Sequence, residues 1–173
     1  MKIRADLHVN GGSRKLVLVP NENEKFEHLA LKLAAYVLFW DDDLTVDASA
    51  KHPALLGQEH RPDLMGTDVT GAVGLWVECG HTTLNKISKV LKRFPYARVA
   101  VLKENLAQAK RFREEIEGEV PVDRVELLYW QAGGFQAWVG LVDEKTEVVG
   151  DATRSSMNLV VNDQVYMADL QKL

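Results

Sequence analysis

The sequence predicts an α+β fold, a mixed central sheet flanked by helices with an additional β-hairpin at each end. Three observations carry this. Lys2 to Val9 alternates, with Ile3, Ala5, Leu7 and Val9 on one face, and Leu16-Val17-Leu18-Val19 returns after the turn Asn10-Gly11-Gly12-Ser13, which is hairpin patterning. After Gly71 the chain alternates apolar strands with amphipathic stretches, a β-α-β-α-β order. Farther on, Leu159-Val160-Val161 and Val165-Tyr166-Met167 flank Asn162-Asp163 as a second hairpin.

The intervening elements follow in order. Glu22 to Asp41 is rich in Leu and Ala without internal Gly or Pro, and predicts a long helix. Phe26, Leu29, Leu33, Val37 and Trp40 form one stripe, and Leu31, Ala35 and Leu38 widen it, so burial on more than one side is expected. Leu44-Thr45-Val46 reads as a short strand, and Ala48 to Arg61, with Pro53 and Gly57, as a loop. Pro62-Asp63-Leu64-Met65 leads through the turn Asp68-Val69-Thr70-Gly71 into a strand over Val73 to Cys79. Thr82 or Thr83 caps a helix bearing Leu84, Ile87, Leu91 and Phe94, closed by Pro95. Ala97 to Leu102 is nearly all apolar, as in a buried parallel strand. Leu106, Ala109, Phe112 and Ile116 mark another helix, and Val125–Trp130, Gln136–Val142 and Thr146–Val149 read as further strands. Trp130 and Trp138 are then core residues on neighbouring strands rather than base-stacking platforms.

A chain of 173 residues with ordinary apolar and charged content suits one domain, residues 1–173. The net charge of −4 argues against proteins that hold nucleic acid by bulk positive charge. The charge is uneven, however. Between Thr82 and Arg113 lie nine Lys and Arg against Glu104 alone, a local +8 in a background of −12. A segment of that kind marks either a face that meets phosphate or two solvated helix sides. No apolar run approaches the ~18 residues needed to span a bilayer, and Met1 to Asp6 lacks the apolar stretch of a signal peptide. A cytoplasmic protein without membrane contact is expected. Cys79 is the only cysteine, so disulfides and cysteine-based zinc sites are excluded. His52, His60 and His81 carry no HExxH spacing, and the Gly-Gly pairs belong to turns rather than to phosphate loops.

The chemistry concentrates around Asp63 and Glu78. A hairpin turning at Thr70 and Gly71 pairs residues whose numbers sum to about 140, which puts the two carboxylates nearly opposite each other, within ~5 Å if they share a face. Asp68 is the competing acid, but it sits at the turn, roughly 17 Å along the strand from Asp63. Two facing carboxylates repel, and a divalent cation taking oxygen ligands relieves the repulsion. Mg²⁺ fits best, because it accepts few carboxylates alongside water and substrate phosphate. Glu78 lies inside an apolar strand and needs a partner, either that metal or a cation such as Lys89 or Arg61. Cys79 alternates to the other face and reads as a small buried residue.

This arrangement resembles the PD-(D/E)XK nuclease superfamily, in the order helix, hairpin, helix, buried strand. More specifically it resembles the YaeQ family, a bacterial group with a variant of that fold. The matching pieces are Leu33-Ala34-Ala35-Tyr36, Pro62-Asp63-Leu64, Asp68-Val69-Thr70-Gly71-Ala72, Leu75-Trp76-Val77-Glu78-Cys79-Gly80 and Lys86-Ile87-Ser88-Lys89. The hairpin from Asn158 to Ala168 matches more loosely.

The resemblance implies a restriction-endonuclease-like core and a Mg²⁺-dependent phosphodiesterase, with Mn²⁺ as a substitute metal. Asp63 and Glu78 would be the metal carboxylates, and Glu27 on the first helix would be an outer ligand. Gly80 stands where the superfamily has its lysine, and Lys89, or else Lys86 one turn earlier, would replace it. Nucleic acid would be met through Lys86, Lys89 and Arg93. One position departs from the family, since Gly74 stands where an Asp is usual. That departure keeps a second reading open, a catalytically inactive scaffold that binds nucleic acid or a protein partner.

Overall fold

A computed structural model describes residues 1–173. Its ten strands form one continuous mixed sheet, and four helices pack on it. The opening hairpin is β1 (Ile3–Val9) with β2 (Gly12–Leu18), paired antiparallel. Helix α1 (Phe26–Leu38) follows, shorter than the predicted Glu22–Asp41, with a 3₁₀ turn at Trp40–Asp42 taking up its end. Then come β3 (Thr45–Val46), β4 (Leu64–Thr67) and β5 (Val73–Cys79). The predicted alternation holds through α2 (Leu84–Arg93), β6 (Arg98–Lys103), α3 (Leu106–Ile116) and β7 (Val125–Trp130), with β5, β6 and β7 mutually parallel.

The segment Gln136–Val142, expected as a strand, is instead helix α4 (Gly134–Leu141). Gly133 opens it in a left-handed conformation, φ 80°. Phe135 and Trp138 are then buried at helical spacing, and the Trp138 indole N–H donates to the Ala30 carbonyl of α1 at 2.8 Å. An apolar run this short fits either period, and the tertiary contact decides between them. Trp138 is therefore core, but on a helix rather than beside Trp130 on a strand.

Three strands complete the sheet, β8 (Lys145–Ala152), β9 (Ser156–Val161) and β10 (Gln164–Lys172). The strand order is β2-β1-β8-β9-β10-β7-β6-β5-β4-β3. β10 joins the two halves, pairing with β9 over Gln164–Asp169 and with β7 over Leu170–Lys172.

The sheet carries a core on each face. On one side α1 and α4 pack with Leu75, Val77 and Cys79 of β5, and with Ala100 and Leu102 of β6. On the other, α2 and α3 cover Met65, Trp76, Val99, Val101 and Leu127. Alternation along β5 thus puts Cys79 in the first core and turns Glu78 toward α2 and α3.

One backbone position fixes how closely β8 approaches β9. Gly150 has φ 144°, and a Cβ there would sit 2.3 Å from the Asn158 carbonyl oxygen. Gly150→Ala is expected to cost at least about 2 kcal/mol through strain and displacement of the β9 backbone. Urea unfolding of the variant checks this.

Candidate functional site

The site forms at the end of β5, where register brings the two predicted acids to neighbouring strands. Leu64 pairs with Val77 and Met65 with Trp76, so Asp63 and Glu78 are the next opposed positions. Asp63 lies just before β4 and bends out of the pleat. Its Oδ2 accepts the Cys79 N–H at 2.8 Å and faces the His28 imidazole at 3.8 Å, on the α1 side. Glu78 keeps the other face and is only 1% exposed. Its Oε1 contacts the Lys86 ammonium and accepts the Thr82 hydroxyl at 3.2 Å.

Lys86 is in reach because α2 starts where it does. The Thr83 hydroxyl accepts the Lys86 N–H at 3.1 Å and caps the helix. That places Lys86 in the first turn, directly over the end of β5. Lys89, one turn on, bonds instead to exposed Glu59 at 2.9 Å. Neither Lys89 nor Arg61 is the partner of Glu78. Arg93 is exposed at the far end of α2, its guanidinium 5.8 Å from the Phe94 ring.

Glu27 is exposed on α1, and Glu24 is the α1-side acid that enters the site. Its Oε1 contacts both the His28 Nδ1 at 2.7 Å and the Lys32 ammonium at 2.6 Å. Lys32, 1% exposed, also bonds both Asp47 oxygens, at 2.8 and 3.1 Å. A chain of alternating charges therefore runs Asp47–Lys32–Glu24–His28–Asp63 along the α1 side, while Glu78–Lys86 lies across the strand.

The protonation states follow from these contacts. Burial raises the Glu78 carboxyl above its ordinary value and the Asp63 charge adds to this, against Lys86 and Thr82, which favour the anion. Burial also opposes ionisation of Asp63, yet His28 and the Cys79 N–H outweigh it and its carboxyl titrates below the usual range. His28 is raised, chiefly by Asp63. Its two nitrogens face only acceptors, Glu24 at 2.7 Å and the Cys79 carbonyl at 3.0 Å, so both must donate and the ring is an imidazolium. Cys79 is buried in the first core, and burial pushes its thiol well above the ordinary value, which makes it a poor nucleophile.

The two carboxylates thus leave the end of β5 on opposite faces, not on the shared face that the expected close approach required. They do not suit zinc, and no group of three or more His, Cys, Asp or Glu side chains is assembled to hold a metal.

One residue near the site escaped the sequence reading. Lys103 ends β6 and is 7% exposed. Strand register puts it beside Gly80 and on the face of Glu78, and its ammonium donates to the Gly80 carbonyl at 2.6 Å. The signals were its place in the basic segment between Thr82 and Arg113 and its position directly after the apolar run Val99-Ala100-Val101-Leu102.

His28 links site geometry to stability. Its folded pKa lies above its unfolded value of about 6.5, so its contribution is complete below that pH and lost as pH rises through the folded pKa. Between about pH 6 and about pH 9, the urea midpoint of the wild type should therefore fall more steeply than that of His28→Gln.

The family model described as YaeQ protein matches residues 13–168. A crystal structure of YaeQ protein from Xanthomonas axonopodis pv. citri superposes with a TM-score of 0.75 at 18% identity, covering 99% of this chain and 96% of that one. One of YaeQ protein from Pseudomonas syringae gives 0.73 at 14% identity, covering 99% and 93%. No curated protein matches the chain. No helix is long and apolar enough to cross a membrane.

Proposed function

This chain belongs to the YaeQ family, and on that premise we propose that it is a cytoplasmic, divalent-metal-dependent phosphodiesterase of the PD-(D/E)XK nuclease type, acting on nucleic acid. The observation that carries this reading is the buried Glu78 carboxylate with the Lys86 ammonium on it, one strand away from Asp63. The order α1, β4–β5, α2, β6 is the order that the superfamily resemblance implies.

At the end of β5, where the Asp63 charge still acts on Glu78, the two carboxylates would hold Mg²⁺ or Mn²⁺. When bound, the metal supplies an activated water and charge neutralisation for the phosphate. The chain's own residues do the rest. Lys86 favours the Glu78 anion against its burial and brings a positive charge to where a phosphate oxyanion would sit. His28 and the Cys79 N–H fix the Asp63 carboxylate in rotamer and charge. The basic first turns and outer faces of α2 supply the approach for a polyanion.

Glu27 and Lys89 have no place in this mechanism, since one is exposed and the other is bound to Glu59. A second reading, a non-catalytic scaffold that binds nucleic acid or a protein, is favoured by one specific observation. Gly74 and Gly80 leave β5 with neither the extra acid nor the lysine expected on the face of Glu78.

The two readings separate in a cleavage assay on single-stranded, duplex and structured DNA and RNA with Mg²⁺ or Mn²⁺. We expect metal-dependent turnover that Glu78→Gln, Asp63→Asn and Lys86→Met each reduce at least about 100-fold, the scale of one lost electrostatic contact to the transition state. Turnover that survives in both acid variants would overturn the assignment, and its absence from the wild type leaves the scaffold reading.

A further inference from the structure

Lys103 is the buried cation that the proposed mechanism does not use. No carboxylate lies within 4.0 Å of its ammonium, which touches only the Gly80 carbonyl at 2.6 Å and the face of the Phe112 ring at 4.8 Å. An ammonium has three N–H donors, and one carbonyl satisfies one of them. The contrast with Lys32 is informative, since that lysine is buried to a similar degree and holds two carboxylates.

Lys103 borders a cavity of about 420 Å³ at the carboxyl ends of β5 and β6, between the loop that leads into α2 and one side of α3. In parallel sheets the carboxyl ends of the strands are where ligands bind. Arg111, His81 and Gln108 also line the cavity, together with Glu104 and Glu115. Neither carboxylate bonds the lysine, although the Glu115 charge acts on it from farther off. Glu115 Oε1 accepts the Leu84 N–H at 3.3 Å, capping α2 from outside, and Glu104 accepts the Gln108 amide at 3.4 Å.

We infer that this cavity binds a phosphate group, with Lys103 as its buried cation and Arg111 at its rim. A phosphate brings the acceptor oxygens that the two remaining lysine donors lack, and its charge compensates an ammonium otherwise stranded in the protein. Burial holds the Lys103 pKa below its ordinary value, with Arg111 adding to the effect and the Glu115 and Glu78 charges only partly offsetting it, and a bound anion would oppose the lowering. The identification of the phosphate as part of a nucleic acid rests on the proposed function; the site itself does not.

The test uses the whole protein in EDTA, so that binding is read without cleavage. The probes are fluorescent oligothymidylates carrying either a 5′-phosphate or a 5′-hydroxyl, titrated at several salt concentrations. Lys103→Met should weaken binding at least about tenfold and lower the salt slope by about 0.7, the value for one lost contact to a single strand. Lys110→Met, an exposed change of the same charge on α3, should lower affinity far less. An effect confined to the 5′-phosphorylated probe identifies a terminal monoester, and an equal effect on both probes an internal diester. Should Lys103→Met fail to fold, Arg111→Gln is read in the same way. Affinity and slope unchanged in Lys103→Met and Arg111→Gln, or no wild-type binding of either probe, would overturn the inference. Cleavage that depends on Glu78 alongside an unaltered slope in Lys103→Met removes the cavity while sparing the enzyme; the converse result removes the enzyme while sparing the cavity.

Discussion

A carboxylate at 1% exposure in a strand covered on both faces is the constraint around which this end of the molecule is organised. An isolated ion in Glu78's position would protonate or unfold the strand. The start of α2 is set by Thr83 so that Lys86 reaches back to it, and Thr82 supplies a hydroxyl. Asp63, which repels Glu78, is drawn to the opposite side of β5 by His28 and the Cys79 amide. Two ionic clusters result, one per face, and the end of a single strand both separates and connects them. That division separates the two like charges and gives each acid its own cation.

Much of this was legible from the chain. Hairpin register follows from turn position, and the expected pairing sum of about 140 falls within one of the observed Leu64–Val77 and Met65–Trp76 pairs. The alternation of Glu78 and Cys79 between faces needed only the period of a strand. The shared face expected for Asp63 and Glu78 failed because Asp63 bends out of the pleat toward His28, and the other differences turn on one helical turn or an ambiguous period. Lys86 rather than Lys89, and Glu24 rather than Glu27, meet the site because side-chain reach depends on where a helix begins, and boundaries are the least readable part of a sequence. Gly134–Leu141 folds as a helix because Trp138 finds the Ala30 carbonyl, a partner far away along the chain. Lys103 counted only as one cation of the basic segment, and the approach of Gly80 from the next strand makes it an interior one.

The uneven charge of the sequence also acquires a location. Lys86, Lys103 and Arg111 belong to the +8 segment, and all three lie at the carboxyl ends of β5 and β6 or on the helices that begin there. Asp63, Glu78, Glu104 and Glu115 lie at the same end, so these cations are interleaved with acids, and a polyanion would meet local positive spots rather than one basic face.

The pairing of β10 has a consequence for biosynthesis. The opening hairpin and β8–β9 form one flank of the sheet, and β3–β7 the other; β10 alone bridges them. All of these strands leave the ribosome before β10 does. Each flank can begin to collapse during translation, but the hydrogen-bonded connection between them forms only once the last strand has been made. Until then β7 and β9 both present open edges, of the kind that recruit other chains. The nascent protein is thus most vulnerable to aggregation in the short interval before β10 docks, and a chain that stalls there would be a natural client for chaperones.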